Sequence, residues 1–435
     1  MTPGPAGPGA PSADRGSRVG FGITAGVLTA LMLGGTLPIP LYVLYEAKMG
    51  FGPLGITIVF AAYVIGTLVA LLGFGDLSDH IGRTKVLAIA IAFAASSTAI
   101  FLFATSIGEL IAARVVSGLA AGFATGTATA ALAELSPHGP RRAAVVATGA
   151  NMTGLGLGPL VAGLFAQYLP AATRTVFWAY LGVCALALIA VMAIPETLRH
   201  PDRSFRLRLR AGVPAGMRLL ILGAGLGVFA AFALLGLFSS LMPSFVRGVL
   251  GVSNLAVIGA TAFLIFVTAA ISQAASARLT SRRSVTIGLP LLLAGLAALE
   301  GSLFAKAVWL FLAATVTSGV AIGLIFRGGL SEINRKAEPA HRAEAVSAFF
   351  AAAYLGLGLP VVLIGVIALA VGPVAASAWV AGLVAATILA ATLVVTRTFG
   401  KTAQATPSPA HSDSWCNPQP VTEAPGRPAS RSPAR

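Results

Sequence analysis

Residues 75–85 read GDLSDHIGRTK, with the apolar run Leu71-Leu72-Gly73-Phe74 before them and Val86-Leu87-Ala88-Ile89 after. Five of these eleven side chains (Asp76, Asp79, His80, Arg83 and Lys85) are ionisable in a chain whose charged fraction is 10%, so a tight polar turn interrupts oily sequence. The same alternation continues in both directions. A helix crosses ~30 Å of hydrocarbon with about 20 apolar residues, and twelve runs qualify: 21–45, 53–75, 84–105, 107–133, 142–168, 173–195, 217–241, 254–277, 285–305, 307–331, 343–371 and 374–396. The pairs 84–133 and 285–331 are divided only at Thr105 to Glu109 and at Glu300 to Lys306, and dividing them differently would give ten or fourteen spans.

An apolar fraction of 57% over 435 residues is too high for soluble domains, which are typically ~45–50% apolar. The formal charge of +15 does not point to nucleic acid, because the basic residues sit in short loops between apolar runs and not on one folded face. It reads as topology. One set of loops holds only Lys48, Arg174, Arg247 and Lys306, against 23 Lys and Arg in the other set with its adjoining tails. By the positive-inside rule both termini are expected in the cytoplasm, and the excess survives removal of the tails before 21 and after 396. Cys184 and Cys416 support neither a disulfide framework nor a metal site, and no cofactor is expected. Residues 21–45 exceed a signal-peptide h-region and stay as the first span.

Between spans six and seven, arginines 199, 203, 206, 208, 210 and 218 alternate in part with Phe205, Leu207 and Leu209, as suits a linker lying on an anionic leaflet. Ser117–Gly122 matches Ser318–Gly323, and Arg142–Pro159 resembles Arg342–Pro360, at an offset of ~200 residues. Spans four and five thus repeat as ten and eleven. The expected organisation is a disordered N-tail at 1–20, a six-helix bundle at 21–195, a basic linker at 196–216, a second six-helix bundle at 217–397 and a disordered C-tail at 398–435.

At these residues the chain resembles the major facilitator superfamily of transporters, over about residues 20–397. Gly75, Leu77, Asp79, Gly82, Arg83, Lys85 and Leu87 match its loop two-three signature, GxLaDrxGrkxxl, with His80 and Thr84 as departures. The resemblance implies the major facilitator fold, an all-α membrane protein of twelve transmembrane helices. It also implies that residues 75–85 act as a conformational latch, in which Asp79 faces the amino end of span eleven near Pro339 to Arg342 and Arg83 pairs with Glu134. The second half keeps only SARLTSRR at 276–283, with no acid where Asp79 would fall.

Arg114 to Gly118 resembles the superfamily's RxxxG signature; a guanidinium at that depth must face the protein interior or snorkel to the surface. Gly118, Gly122 and Gly126 form an expected close-packing stripe. Gly154, Gly158, Pro159 and Gly163 resemble the GxxxGPxxGG antiporter signature, with Ala162 in place of a glycine, and point to export. Pro38-Ile-Pro40-Leu-Tyr42 is similar to an element of twelve-span drug exporters.

The resemblance puts the cargo cavity among spans one, four, seven and ten. Tyr42, Phe123, Asn151, Phe232, Phe238, Phe326 and Tyr354 are the candidates there, a lining suited to amphipathic molecules. Arg327 could attract an anion or sit at the cytoplasmic mouth. Proton exchange needs a carboxylate of raised pKa, and no Asp or Glu falls mid-span, so Glu46 and Glu109 stand as the nearest candidates. The expected protein is a monomeric multi-pass transporter of the cell inner membrane. It would export small amphipathic compounds or drugs, exchanging them for protons if a carrier exists. Import or uniport of a sugar or organic acid, and a non-transporting receptor on the same fold, are the competing readings. No buried nucleophile or metal cluster suggests an enzyme.

Overall fold

The computed structural model describes residues 11–194, 196–197, 217–240, 242–338 and 341–399. Its helices are α1 (Pro11–Thr36), α2 (Tyr42–Met49), α3 (Pro53–Phe74), α4 (Leu77–Ile81), α5 (Arg83–Phe103), α6 (Ile107–Leu135), α7 (Pro140–Tyr168), α8 (Ala172–Met192), α9 (Arg218–Ser240), α10 (Met242–Gly248), α11 (Leu255–Ala275), α12 (Ser281–Ala305), α13 (Val308–Lys336), α14 (Arg342–Val371) and α15 (Pro373–Phe399). Twelve of them are long and apolar enough to cross a membrane, α1 and α2 together making the first span through a short 3-10 turn at Ile39–Leu41.

Two boundaries differ from the sequence expectation. Helix α1 begins at Pro11, inside the segment 1–20 expected to be disordered, and α15 runs to Phe399. Of the basic linker, only Glu196 and Thr197 are described, so its arginines from 199 to 210 lie outside the described residues.

Large apolar side chains stand exposed on the outer surface as well as buried inside, as a hydrocarbon solvent permits, and small residues let the helices approach closely. Met192 is 81% exposed and Trp309 72%, while alanines and glycines fill the helix crossings. Trp178, Trp309 and Trp379 all stand exposed in the opening turns of α8, α13 and α15, at the end opposite residues 75–85. That is the position of an interfacial aromatic belt.

The duplication read from sequence appears as matched crossings. A Cβ on Gly118 would lie 2.1 Å from the Tyr63 carbonyl oxygen of α3, and one on Gly319 2.7 Å from the Ile265 carbonyl oxygen of α11. Gly154 and Gly356 likewise abut the Thr29 and Phe229 carbonyls, on α1 and α9. Gly126 departs from the expected stripe: nothing lies within 4 Å of its Cβ position, so that turn of α6 meets open space.

The two bundles meet along α3 with α14 and α7 with α11. Gly163 seats on the Leu255 carbonyl and Gly259, Gly365 on Thr57, and Gly358 on Val64. The Gln167 side chain on α7 accepts the Leu255 N–H at 2.9 Å, and Asn254 accepts the next two at 2.9 and 3.2 Å, completing the start of α11 across the seam. These contacts lie at mid-depth and toward the end opposite residues 75–85.

Candidate functional site

Helix α3 ends at Phe74 and Gly75 keeps helical dihedrals (φ −54°, ψ −30°), so it does not turn the chain. Gly82 does, at φ +110° and ψ 148°, a conformation that strains any residue with a Cβ. A Cβ there would also sit 2.5 Å from a Glu196 carboxylate oxygen. By reversing at Gly82 the chain starts α5 with Arg83 folded back over α4.

The Arg83 side chain is 10% exposed and fully engaged. Its Nη1 lies 2.5 Å from Asp79 Oδ1 and donates to Ser78 Oγ at 2.5 Å, while Nη2 and Nε reach the two Glu134 oxygens at 2.9 and 3.4 Å. The fork geometry of guanidinium makes that two-sided grip possible. Glu196, from the segment after α8, accepts the backbone N–H groups of Arg83 (3.0 Å) and Thr84 (3.2 Å), where the unpaired amides of a helix start favour an anion. Thr197 donates its hydroxyl to Glu134.

Sequence reasoning paired Arg83 with Glu134 and missed Glu196 and Thr197. The signal for them was present in an acid and a hydroxyl just past span six. Asp79 is seen here with Arg83 alone among the ion pairs of the described residues. Residues 339 and 340 of its anticipated partner segment are outside the described residues, and its carboxylate, 51% exposed, turns back onto Arg83.

The corresponding turn of the second half, Ser276–Arg278, is held differently. Arg327 of α13 donates from Nη1 to the Ser276 carbonyl (2.5 Å) and from Nη2 to the Ala277 carbonyl (2.9 Å). Both hydrogen bonds tie it to backbone, so it holds the turn at this end rather than presenting a free cation to cargo. Glu332, one turn on and nearly sealed from solvent, is bound by Arg335 (Nε at 3.2 Å) and Lys336 (3.3 Å) of its own helix.

Mid-membrane, the aromatic candidates divide. Phe232, Phe326 and Tyr354 are half-buried and form one cluster, with centroids 5.8 Å apart for Phe232–Phe326 and 6.3 Å for Phe232–Tyr354. Asn151 is half-buried on α7. Phe123 packs between Phe74 and Phe93, and Phe238 against Phe311, so both belong to bundle interiors and not to an open lining. Tyr42 is buried too, with its hydroxyl lacking a partner.

Arg114 is 1% exposed and does not snorkel. Its Nη1 donates to the Gly35 carbonyl at 2.7 Å, and its guanidinium carbon stands 4.4 Å from the Tyr63 ring centroid and 5.9 Å from that of Phe60. Nε has no partner.

The carboxylates stand near helix ends. Glu109 is exposed and occupied in a capping box, accepting from the Thr105 N–H at 2.5 Å and the Ser106 N–H at 3.1 Å, which gives it a structural duty at the start of α6. Glu300 accepts the Ser377 hydroxyl at 3.1 Å, and Glu46 is half-buried one turn before the end of α2. Among the described residues no group of three or more His, Cys, Asp or Glu could hold a metal ion.

With that geometry in view, a family model described as Major Facilitator Superfamily matches residues 23–300. A triacylglyceride transporter of Mycolicibacterium hassiacum is 28% identical over 179 residues, covering 41% of this chain and 32% of that protein. The cephamycin export protein CmcT of Amycolatopsis lactamdurans is 31% identical over 183 residues, 41% and 37% of the two chains. The chain therefore spans well under half the length of these curated relatives. Among solved structures, the human organic anion transporter MFSD10 superposes with a TM-score of 0.62 at 18% identity, covering 87% of this chain and 99% of that one. The nucleoside transporter NupG superposes with a TM-score of 0.68 at 13% identity, covering 86% and 99%. At such identities the likeness is one of fold.

Proposed function

The chain belongs to the Major Facilitator Superfamily of transporters, and from that premise we propose that it exports small amphipathic organic compounds by rocking two six-helix bundles about a central seam. The observation that carries this reading is the asymmetry of the seam. The bundles touch at mid-depth and at the far end, through Gly163 on Gly259 and Gly365 on Thr57, whereas at residues 75–85 the charges of Asp79, Arg83 and Glu134 are satisfied within the first bundle. That is the expected form of a transporter closed at one end and open at the other. The basic excess on the loops at residues 75–85 supports a cytoplasmic position for that end.

Export is favoured by the glycine and proline spacing of α7. Gly154 and Gly158 press on α1 while Pro159 and Gly163 press on α11, so one helix joins its own bundle to the other at the closed end. The half-buried Phe232, Phe326 and Tyr354 offer aromatic surface with few fixed polar groups, which suits an amphipathic cargo better than a polyol. A relative named for cephamycin export fits the same class. Purified protein in liposomes, challenged with a compound panel with and without a pH gradient, tests the reading. Saturable movement of amphipathic compounds is expected; movement of sugars alone would replace export with metabolite uptake, and movement of nothing would leave a receptor.

A further inference from the structure

A charge buried in a bilayer without a counter-ion is costly, and such residues mark places where a compensating charge arrives. Arg114 meets that description. Among the described residues none of the ion pairs involves it, its one hydrogen bond goes to a neutral carbonyl, and its Nε is an orphan although the residue is 1% exposed. A second orphan lies beside it. Tyr42 of α2 is also 1% exposed, its hydroxyl is unpartnered, and it stands within electrostatic reach of the guanidinium. The Arg114 Nε–H and the Tyr42 hydroxyl are thus two buried donors without an acceptor, half of a binding site.

The position also fits cargo. The Tyr63 ring that covers Arg114 belongs to α3 at the seam, next to Val64, which packs on Gly358 of the other bundle. Across the seam α3 packs on α14, which places Tyr63 within electrostatic reach of Tyr354 at the edge of the Phe232–Phe326 cluster. One aromatic ring therefore separates the uncompensated cation from the aromatic surface of the second bundle.

We propose that Arg114 and Tyr42 receive the single negative group of an amphipathic organic anion whose apolar body rests on Phe232, Phe326 and Tyr354, and that one net negative charge crosses the membrane per cargo. This rests on the export reading above and sharpens its substrate class. It also removes the need for a proton carrier. Glu109, Glu134, Glu300 and Glu332 are each held by a structural partner. The membrane potential itself drives an anion outward, 100 mV supporting a gradient of about 50-fold.

The test uses the full chain in liposomes with potassium diffusion potentials, an aryl sulfonate as a permanent monoanion, and its uncharged sulfonamide. A 100 mV potential of the driving sign should raise sulfonate accumulation at least tenfold over zero potential. A pH gradient at zero potential should change it less than twofold, and the sulfonamide should not be concentrated. Tyr42→Phe should raise KM several-fold with kcat retained, and Arg114→Lys should retain a part of sulfonate transport that Arg114→Ala loses; Tyr42→Phe and Arg114→Lys keep the test valid if Arg114→Ala fails to fold. Glu46→Gln should leave the response to potential intact. Transport that follows the pH gradient, is lost in Glu46→Gln, or treats sulfonate and sulfonamide alike overturns the proposal while leaving the exporter reading standing. If no compound of any charge moves, the exporter reading itself fails.

Discussion

The two halves of this molecule solve the same local problem with opposite chemistry. Each must pin the turn between its second and third spans. In the first half Arg83 is pinned by Asp79, Ser78 and Glu134, with Glu196 capping the next helix. In the second, Arg327 grips two backbone carbonyls and, among the described residues, no acid takes part. The duplication makes the contrast sharper. At the repeat offset of ~200 residues the counterpart of Glu134 is Arg335, which pairs with Glu332 on its own helix instead of reaching the turn. A carbonyl clamp has one stable arrangement, because its acceptors are fixed by the backbone. A network of side-chain charges has several, since Asp79 is half-exposed and can exchange Arg83 for another positive partner or a helix start. We propose that this difference marks which half carries the switch, the first bundle releasing and re-forming contacts while the second acts as a rigid counterpart.

The largest effect is expected from Arg83→Ala. It leaves Glu134 and Asp79 facing each other without their cation, at a cost of about 2–3 kcal/mol once the partial exposure of both acids is allowed for. Transport in proteoliposomes should fall more than tenfold and the thermal unfolding midpoint in detergent should drop by several degrees. Arg83→Lys should not restore either, since an ammonium cannot bridge Asp79 and both Glu134 oxygens at once. Next comes Asp79→Asn. This pair is half-exposed, so stability should change by less than about 1 kcal/mol while transport falls several-fold at normal membrane expression. A stability loss as large as that of Arg83→Ala would mean that Asp79 is a structural anchor and not the exchanging member.

What the sequence made legible follows the range of the interaction. The twelve spans rest on local hydropathy and the repeat on self-similarity of the chain, while the pairing of Arg83 with Glu134 follows from the superfamily resemblance of residues 75–85. Glu196 and Thr197 escaped because they arrive at the turn from a segment more than 110 positions away, and only the packing of α5 on α8 brings them there. From the sequence Phe123 and Phe238 read as cavity lining, because an aromatic in a span carries no sign of which face it occupies. Their rings proved to be filled against Phe93 and Phe311. The missing partner of Arg114 was the most informative gap. The sequence shows an arginine inside a span, but only three dimensions show that its neighbours are a carbonyl and two rings.

Arg327→Ala sharpens the comparison from the other side. The carbonyls of Ser276 and Ala277 lose their donor, but at the membrane surface water can replace it, so the cost should be near 1 kcal/mol and transport should fall by no more than about threefold. If Arg327→Ala and Arg83→Ala prove equally damaging, both bundles switch and the asymmetry argued above is wrong.

The smallest effect should come from Glu196→Gln. The Arg83 and Thr84 N–H groups reach different Glu196 oxygens, so the amide keeps one of these hydrogen bonds, water takes the exposed N–H left over, and the attraction between a full negative charge and the α5 amino end is lost. That term is typically about 0.3–1 kcal/mol and is screened by salt. The variant should therefore differ from the parent by a degree or two in unfolding temperature at low salt and converge with it at high salt. Thr197→Ala provides the control, since its hydroxyl meets Glu134 and not the helix start. Its effect should be independent of salt, because a neutral donor has no charge to screen. If instead both variants respond to salt alike, the segment after α8 acts as one with the Arg83 pair, and the switch in the first half extends into the linker that joins the two bundles.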